Sequence, residues 1–238
     1  MPSTNTEAAR QALSGATEGL TLVADEQTAG RGRLERQWIS NKGAGLYCSI
    51  ILRPQLESQL WTLIPLMAAV SVHEALRDSF ALEPDIKWPN DILVGERKLC
   101  GILVETVETN GGRAAILGIG INMRKGVFAK ELENRATSIE DETGTAPNPG
   151  DLLQSLLGNL VANYSSLETS AGGAWLVNEW SRRSTYAQGK RVSVASGDES
   201  FVGVTRGLES DGALRVETDS GEIRSVRAGD VTSVRGAM

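Results

Sequence analysis

The sequence predicts an α+β domain followed by a small all-β module, and three observations carry this. Apolar residues recur at helical spacing over 64–80 and 152–167. Short β-rich runs closed by glycine turns lie between those helices. After Gln188-Gly189 the pattern switches to period two, with five short strands in about 50 residues, the spacing of a small β-barrel. The chain therefore divides near residue 187, into 1–187 and 188–238.

Taken in order, Glu7–Leu13 reads as a short helix and Leu20–Ala24 as a strand. Residues 30–45 are rich in glycine and basic side chains and read as a loop, and Leu46–Leu52 is a β-rich run stopped by Pro54. The helix over 64–80 starts at Pro65, which a helix tolerates in its first turn. Asp85–Trp88 is extended, because a residue before proline is pushed out of the helical region. Asp91–Val94 and Lys98–Val107 flank Gly95-Glu96 as a hairpin. A second hairpin turns at Asn110-Gly111-Gly112, where Asn-Gly supplies positive φ, and returns along Ala114–Asn122. Residues 124–149 read mostly as loop, and Leu152–Leu167 and Ala174–Arg183 as helices. The closing strands are Lys190–Ala195, Ser200–Leu208, Ala213–Thr218, Glu222–Val226 and Val231–Val234.

Composition removes several function classes. Two cysteines, Cys48 and Cys100, both in apolar runs, cannot build a disulfide framework and read as buried thiols in a reducing compartment. With one histidine, a Ser-His-Asp triad would have to use His73, and a His-rich metal site is excluded. A net charge of −6 argues against general capture of nucleic acid. No run reaches the roughly 18 apolar residues that span a bilayer, and no secretory signal opens the chain, so the cytoplasm is expected.

Three segments could carry chemistry. Gly30-Arg31-Gly32-Arg33, continuing to Arg36 and Trp38, lets backbone amides and forked guanidiniums meet an anion, or is a solvated basic loop. Its spacing is neither a dinucleotide fingerprint nor a P-loop. Lys87-Trp88-Pro89-Asn90-Asp91, followed by Lys98, either caps a strand or presents an amide, a carboxylate and ammonium groups to one pocket. Gly101, Gly118 and Gly120 clear side chains where a ligand could lie on the sheet, and Asn122 either reads a base edge or caps a turn. Ser3-Thr4-Asn5 either caps the first helix or grips a neutral polar ligand group.

Taken together these segments resemble the biotin protein ligase family. The resemblance runs through Ser3-Thr4-Asn5, Glu26–Arg33 with Trp38, Lys87–Asp91, Arg97–Glu105 and Gly118–Met123, and continues into the β-module, nearly the whole chain. It implies a catalytic domain of mixed sheet and helices like that of class II aminoacyl-tRNA synthetases, with an SH3-like barrel behind it. It implies ATP and biotin as substrates, Mg²⁺ bridging the phosphates, a biotinoyl-adenylate intermediate, and a lysine of a biotin carboxyl carrier protein or domain as acceptor.

Residue by residue, the resemblance implies that Ser3, Thr4, Asn5, Gln27, Gly30, the Arg31-Gly32-Arg33 backbone, Lys98 and Gly101 hold biotin. Arg31, Arg33, Arg36, Trp38, Asn90, Lys98 and Asn122 would face the nucleotide. Lys98 and Arg33 would act in the chemistry, and Asp91 would orient or deprotonate the acceptor amine. Residues 30–45 are a candidate lid over a hydrolysis-prone anhydride. The N-terminal helix-turn-helix domain of the bifunctional repressor-ligases has no counterpart, so the monofunctional form is expected, without operator binding. The resemblance admits a homodimer. Its nearest rival on the same fold is a lipoate–protein ligase or octanoyl transferase; a binding module without catalysis is the other class.

Overall fold

The computed structural model describes residues 1–126, 132–197 and 199–234. Helix α1 (Thr4–Leu13) starts earlier than the periodicity predicts because Ser3 caps it, its hydroxyl accepting from the Thr6 amide. The strands β1 (Thr21–Ala24), β2 (Gly45–Leu52), β3 (Asp85–Lys87), β4 (Asp91–Val94), β5 (Arg97–Thr109) and β6 (Gly112–Asn122) form one sheet. Their order is β1-β2-β6-β5-β4-β3, and every strand pairing is antiparallel. Among the described residues its parallel component is a single bridge between Lys98 and Ala136. In the β5–β6 turn the positive φ falls on Gly112, not on Asn110 or Gly111 as the Asn-Gly pattern suggests, because Thr109 already pairs with Gly112.

Helix α2 (Ile64–Phe80) carries Pro65 in its first turn and packs on one face of the sheet with α4 (Pro149–Leu167) and α5 (Gly172–Arg182). Alternation along β6 sends Ala115, Leu117, Ile119 and Ile121 into that core. Ala114 and Ile116 point the other way, onto Ala8 and Ala12 of α1. Of the 124–149 segment, residues 127–131 lie outside the described residues; the remainder is mostly loop, broken by the short helix α3 (Ile139–Thr143), capped by Ser138, and ending where Pro149 opens α4.

The C-terminal strands β7 (Gln188–Ser196), β8 (Glu199–Leu208), β9 (Leu214–Thr218), β10 (Ile223–Val226) and β11 (Asp230–Ser233) make a second antiparallel sheet, ordered β10-β9-β8-β7-β11. This is the SH3-like module. Its apolar residues Val192, Val194, Leu214, Val216 and Val231 continue the main core without a break. The seam is also hydrogen-bonded. The Trp88 indole N–H donates to the Gly212 carbonyl at 3.0 Å, and the Thr62 hydroxyl to the Asp211 carbonyl at 2.7 Å. Gly212 has φ +81, and a Cβ there would stand 2.8 Å from Leu66 Cδ1, so both conformation and closeness demand glycine. Among the described residues no helix is long and apolar enough to cross a membrane.

Candidate active site

The site is built on one cross-strand row that runs the width of the first sheet. Lys87 pairs with Asp91, Asp91 with Gly101, Gly101 with Gly120, Gly120 with Tyr47, and Tyr47 with Ala24. Residues opposite one another in a ladder share a face. The row therefore places two charged side chains beside two glycines on the face away from α2. Lys98, next to a bulge in β4, turns its Nζ back to 2.6 Å from Asp91 Oδ1.

Protein side chains share the space those glycines leave. A Cβ on Gly120 would lie 2.6 Å from the Trp38 ring, and one on Gly101 2.8 Å from it and 3.2 Å from Lys98 Nζ. A Cβ on Gly118 would meet the Asn5 amide. Trp38 thus lies on the glycine trough, with Lys98 Nζ 5.3 Å from its ring centre. Its indole N–H is buried and without an acceptor among the described residues.

At the β2 side of the trough the Ser3–Asn5 segment is both helix cap and cavity wall. The Thr4 amide and hydroxyl donate to Gln27 Oε1 at 2.8 and 3.0 Å, and Gln27 Nε2 donates to Ser40 Oγ at 2.8 Å. Ser49, fully buried on β2, donates to Asn5 Oδ1 at 2.6 Å and lies 2.7 Å from Thr4 Oγ1. Glu105 joins this group to the basic loop, accepting from Asn5 Nδ2 at 2.9 Å and pairing with Arg31 at 2.7 Å.

The basic loop is a tight excursion closed by the Arg31–Gln37 bridge and by the Gly32 amide donating to the Arg36 carbonyl at 2.7 Å. Leu34 and Glu35 at its tip have φ +53 and +59, a left-handed pair that L-residues adopt at a cost of about 1 kcal/mol each. This turn brings Arg33 and Arg36 out together. Both meet Asp230 on β11: Arg36 pairs with it directly, and Arg33 lies 3.9 Å from its other oxygen. Arg33 also donates to the Asn90 Oδ1 and to the Gly229 carbonyl, each at 3.2 Å. Burial lowers the Arg33 pKa, and Asp230 and Asp91 oppose that shift.

These parts enclose a cavity of about 990 Å³. Ser3, Thr4, Asn5, Gln27, Arg31, Gly32, Arg33, Arg36, Trp38, Asn90, Asp91, Lys98, Gly101 and Asn122 all line it. Gly30 does not; a Cβ there would run into the Trp38 carbonyl at 2.3 Å, and its own carbonyl accepts from the Trp38 amide. Asn90 and Asn122 stand at the wall with their amide donors engaged, Asn90 to the Ile102 carbonyl at 2.7 Å and Asn122 to the Thr137 carbonyl at 3.0 Å. Ser49, Glu105 and Asp230 escaped the sequence reading. A lone serine and a lone glutamate in apolar strands were the available signals for the first two. Asp230 had none, since its partners lie in another part of the chain.

His73 is buried in α2 and does not line this cavity, where a Ser-His-Asp arrangement would have to place it. Cys48 and Cys100 are buried and free, and burial pushes the Cys48 thiol up to about 12. Among the described residues no three His, Cys, Asp or Glu side chains gather as a metal cage.

Residues 1–122 match the biotin/lipoate A/B protein ligase family, and residues 188–232 match the biotin protein ligase C terminal domain. The class is therefore a protein-modifying ligase. The chain is 35% identical over 238 residues to the bifunctional ligase/repressor BirA of Bacillus subtilis, covering 97% of this chain and 71% of that protein. It is 32% identical to the biotin–[acetyl-CoA-carboxylase] ligase of Mycobacterium tuberculosis, covering 98% of this chain and 86% of that one. Among solved structures, the biotin protein ligase from Aquifex aeolicus in complex with biotin and ATP superposes with TM-score 0.85 at 29% identity, covering 98% and 95% of the two chains. The chain belongs to the biotin protein ligase family, and its activity is biotin ligation.

Proposed function

We propose that the enzyme activates biotin with ATP as biotinoyl-5′-adenylate and passes the biotinoyl group to a lysine of a biotin carboxyl carrier protein or domain. The observation that carries this reading is the Lys98–Asp91 pair, set at 2.6 Å between a glycine trough and a loop of three arginines. Joining a carboxylate to the α-phosphate brings two anions together, so fixed cations must offset their repulsion as the bond forms. Lys98, Arg31, Arg33 and Arg36 supply that charge, and no nucleophilic side chain is required of the enzyme. A biotin carboxylate oxygen bonds to the α-phosphorus while the α–β phosphoanhydride bond breaks and its electron pair leaves on diphosphate. In transfer the acceptor amine attacks the biotinoyl carbon, the carbon–oxygen bond to AMP breaks with its electron pair leaving on AMP, and the Asp91 carboxylate takes up the amine's proton.

The Thr4–Asn5–Gln27–Ser49 group takes the neutral head of biotin, with Gly101 leaving room for its chain. Trp38, Asn90 and Asn122 border the nucleotide. The working division is a catalytic domain over 1–187 and the SH3-like module over 188–238. Mg²⁺ would supply further positive charge to offset the phosphates as the bond forms. Removing the ammonium in Lys98→Ala is expected to lower biotin-dependent ATP–pyrophosphate exchange by orders of magnitude with the fold intact; wild-type exchange in that variant overturns the assignment. Biotin and lipoate run side by side, followed by labelling of a carrier domain, identify the acid, and preference for lipoate would move the reading to the lipoate ligases.

A further inference from the structure

Strict alternation along β5 would hide Lys98. Gly101 faces the trough, so Leu99 and Arg97 would share its side, and Lys98 would turn with Cys100 toward the helices. The β4–β5 ladder prevents this by slipping one residue. Ile92 pairs with Cys100 but Leu93 pairs with Lys98, which leaves Leu99 without a partner. Leu99 and Cys100, neighbours in sequence, are accordingly both buried in the core beneath the sheet. Lys98 thereby shares a face with Asp91 and reaches it at 2.6 Å. The slip also falls where β6 stops pairing, its nearest partner there being Ile121 opposite Cys100. Residues 135–137 take over from β6. The Lys98 amide donates to the Arg135 carbonyl at 2.8 Å, the Thr137 amide donates to the Lys98 carbonyl at 3.0 Å, and Ala136 forms the parallel bridge.

We propose that Glu142 is a positioning residue for Lys98, fastening both sides of this slip from outside the cavity. Its Oε1 accepts from the Arg97 guanidinium at 2.8 Å and from the hydroxyl of the buried Thr137. Arg97 is the residue before Lys98, and Thr137 supplies the amide that holds the Lys98 carbonyl. One carboxylate oxygen therefore ties the strand that carries Lys98 to the segment paired with it. Helix α3, which carries Glu142, is itself fixed to the end of β6, the Glu140 amide donating to the Met123 carbonyl at 3.0 Å. Without Glu142 the buried Thr137 hydroxyl loses its acceptor and Arg97 its anion. A β5 end free to slide back by one residue regains alternation and carries Lys98 away from Asp91. This role rests on the adenylation reading above, in which the Lys98 ammonium meets the reacting anions. A displacement of about 1 Å in such a group costs on the order of a hundredfold in rate.

The test is biotin-dependent ATP–pyrophosphate exchange by the full chain. Glu142→Ala is expected to lower kcat about tenfold or more. Glu142→Gln, whose amide oxygen still accepts from Arg97 and Thr137, should recover most of that loss. The change is then combined with Lys98→Ala and read at raised enzyme concentration. In that background Glu142→Ala is expected to slow the residual exchange by no more than about twofold, because the group it positions is gone. An equal loss with and without the Lys98 ammonium would make Glu142 a general structural residue and overturn the proposal. Unchanged exchange in Glu142→Ala would overturn it too. If Lys98→Ala alone keeps the wild-type rate, the role given to Lys98 fails first and takes the positioning role with it.

Discussion

Asp230 pairs with Arg36 across 194 residues of chain, so the last strand of the second sheet holds the Arg31–Arg36 loop beside the first. Exposed pairs of this kind contribute little to stability, about 1 kcal/mol or less, and Arg36 is largely exposed. Their value lies in where they keep the loop. In Asp230→Asn the thermal midpoint is expected to move little, while trypsin cuts after Arg33 and Arg36 several-fold faster in the ligand-free protein. Equal cleavage rates would show that the loop is held by its own turn alone.

Gly120→Ala tests the trough without touching a charged group. The added methyl would stand 2.6 Å from the indole of Trp38, too close to share the space. The indole is expected to leave the sheet, shifting tryptophan emission and lowering ligation tenfold or more (about 1.4 kcal/mol) while the far-ultraviolet spectrum is retained. Full activity in this variant would mean that Trp38 has no fixed seat in the reaction.

Ser49 is the buried centre of the Thr4–Asn5 group. Ser49→Ala leaves the Asn5 carbonyl oxygen without its buried donor and should cost about 1–3 kcal/mol in urea unfolding. A stability loss with unchanged KM for biotin would separate the structural part of this network from ligand recognition.

His73 gives the protein a pH dependence of known sign. Burial, reinforced by Arg183 and Arg77, lowers its imidazole to about 4, against an unfolded value near 6.5. Between those values the unfolded chain binds a proton that the folded chain refuses. Its contribution is therefore fully present above about pH 6.5 and is lost as pH falls toward 4. Allowing for solvent screening, wild type should lose about 1–2 kcal/mol more than His73→Leu between pH 7 and 4.5. Parallel stability profiles for the two proteins would remove His73 from that role.

Much of this was legible in the residues because local chemistry decided it. Pro65 marked the start of α2, and the period-two run after Gln188 announced the second sheet. Gly30–Arg33, Lys87–Asp91 and Lys98 announced charge meeting an anion, and all but Gly30 stand at one cavity. What stayed hidden depends on contacts through space. Asp230 has no local signature that ties it to Arg33 and Arg36. Glu105 looks like any solvated strand residue until Asn5 and Arg31 close on its two oxygens. The glycines at 101 and 120 predicted open floor, whereas the structure lays Trp38 there, because the loop that carries it folds back from another part of the chain.

The row from Lys87 through Asp91, Gly101 and Gly120 to Tyr47 gives the sheet something like a reading frame. A single residue inserted before Gly101 in β5 would leave a strand only one residue longer and of nearly the same composition. It would also turn the glycine toward the helices and swing Cys100 or Ile102 into the trough. Secondary structure would look unharmed while the floor of the site vanished. β4, β5 and β6 must therefore keep step with one another for the chemistry to exist at all.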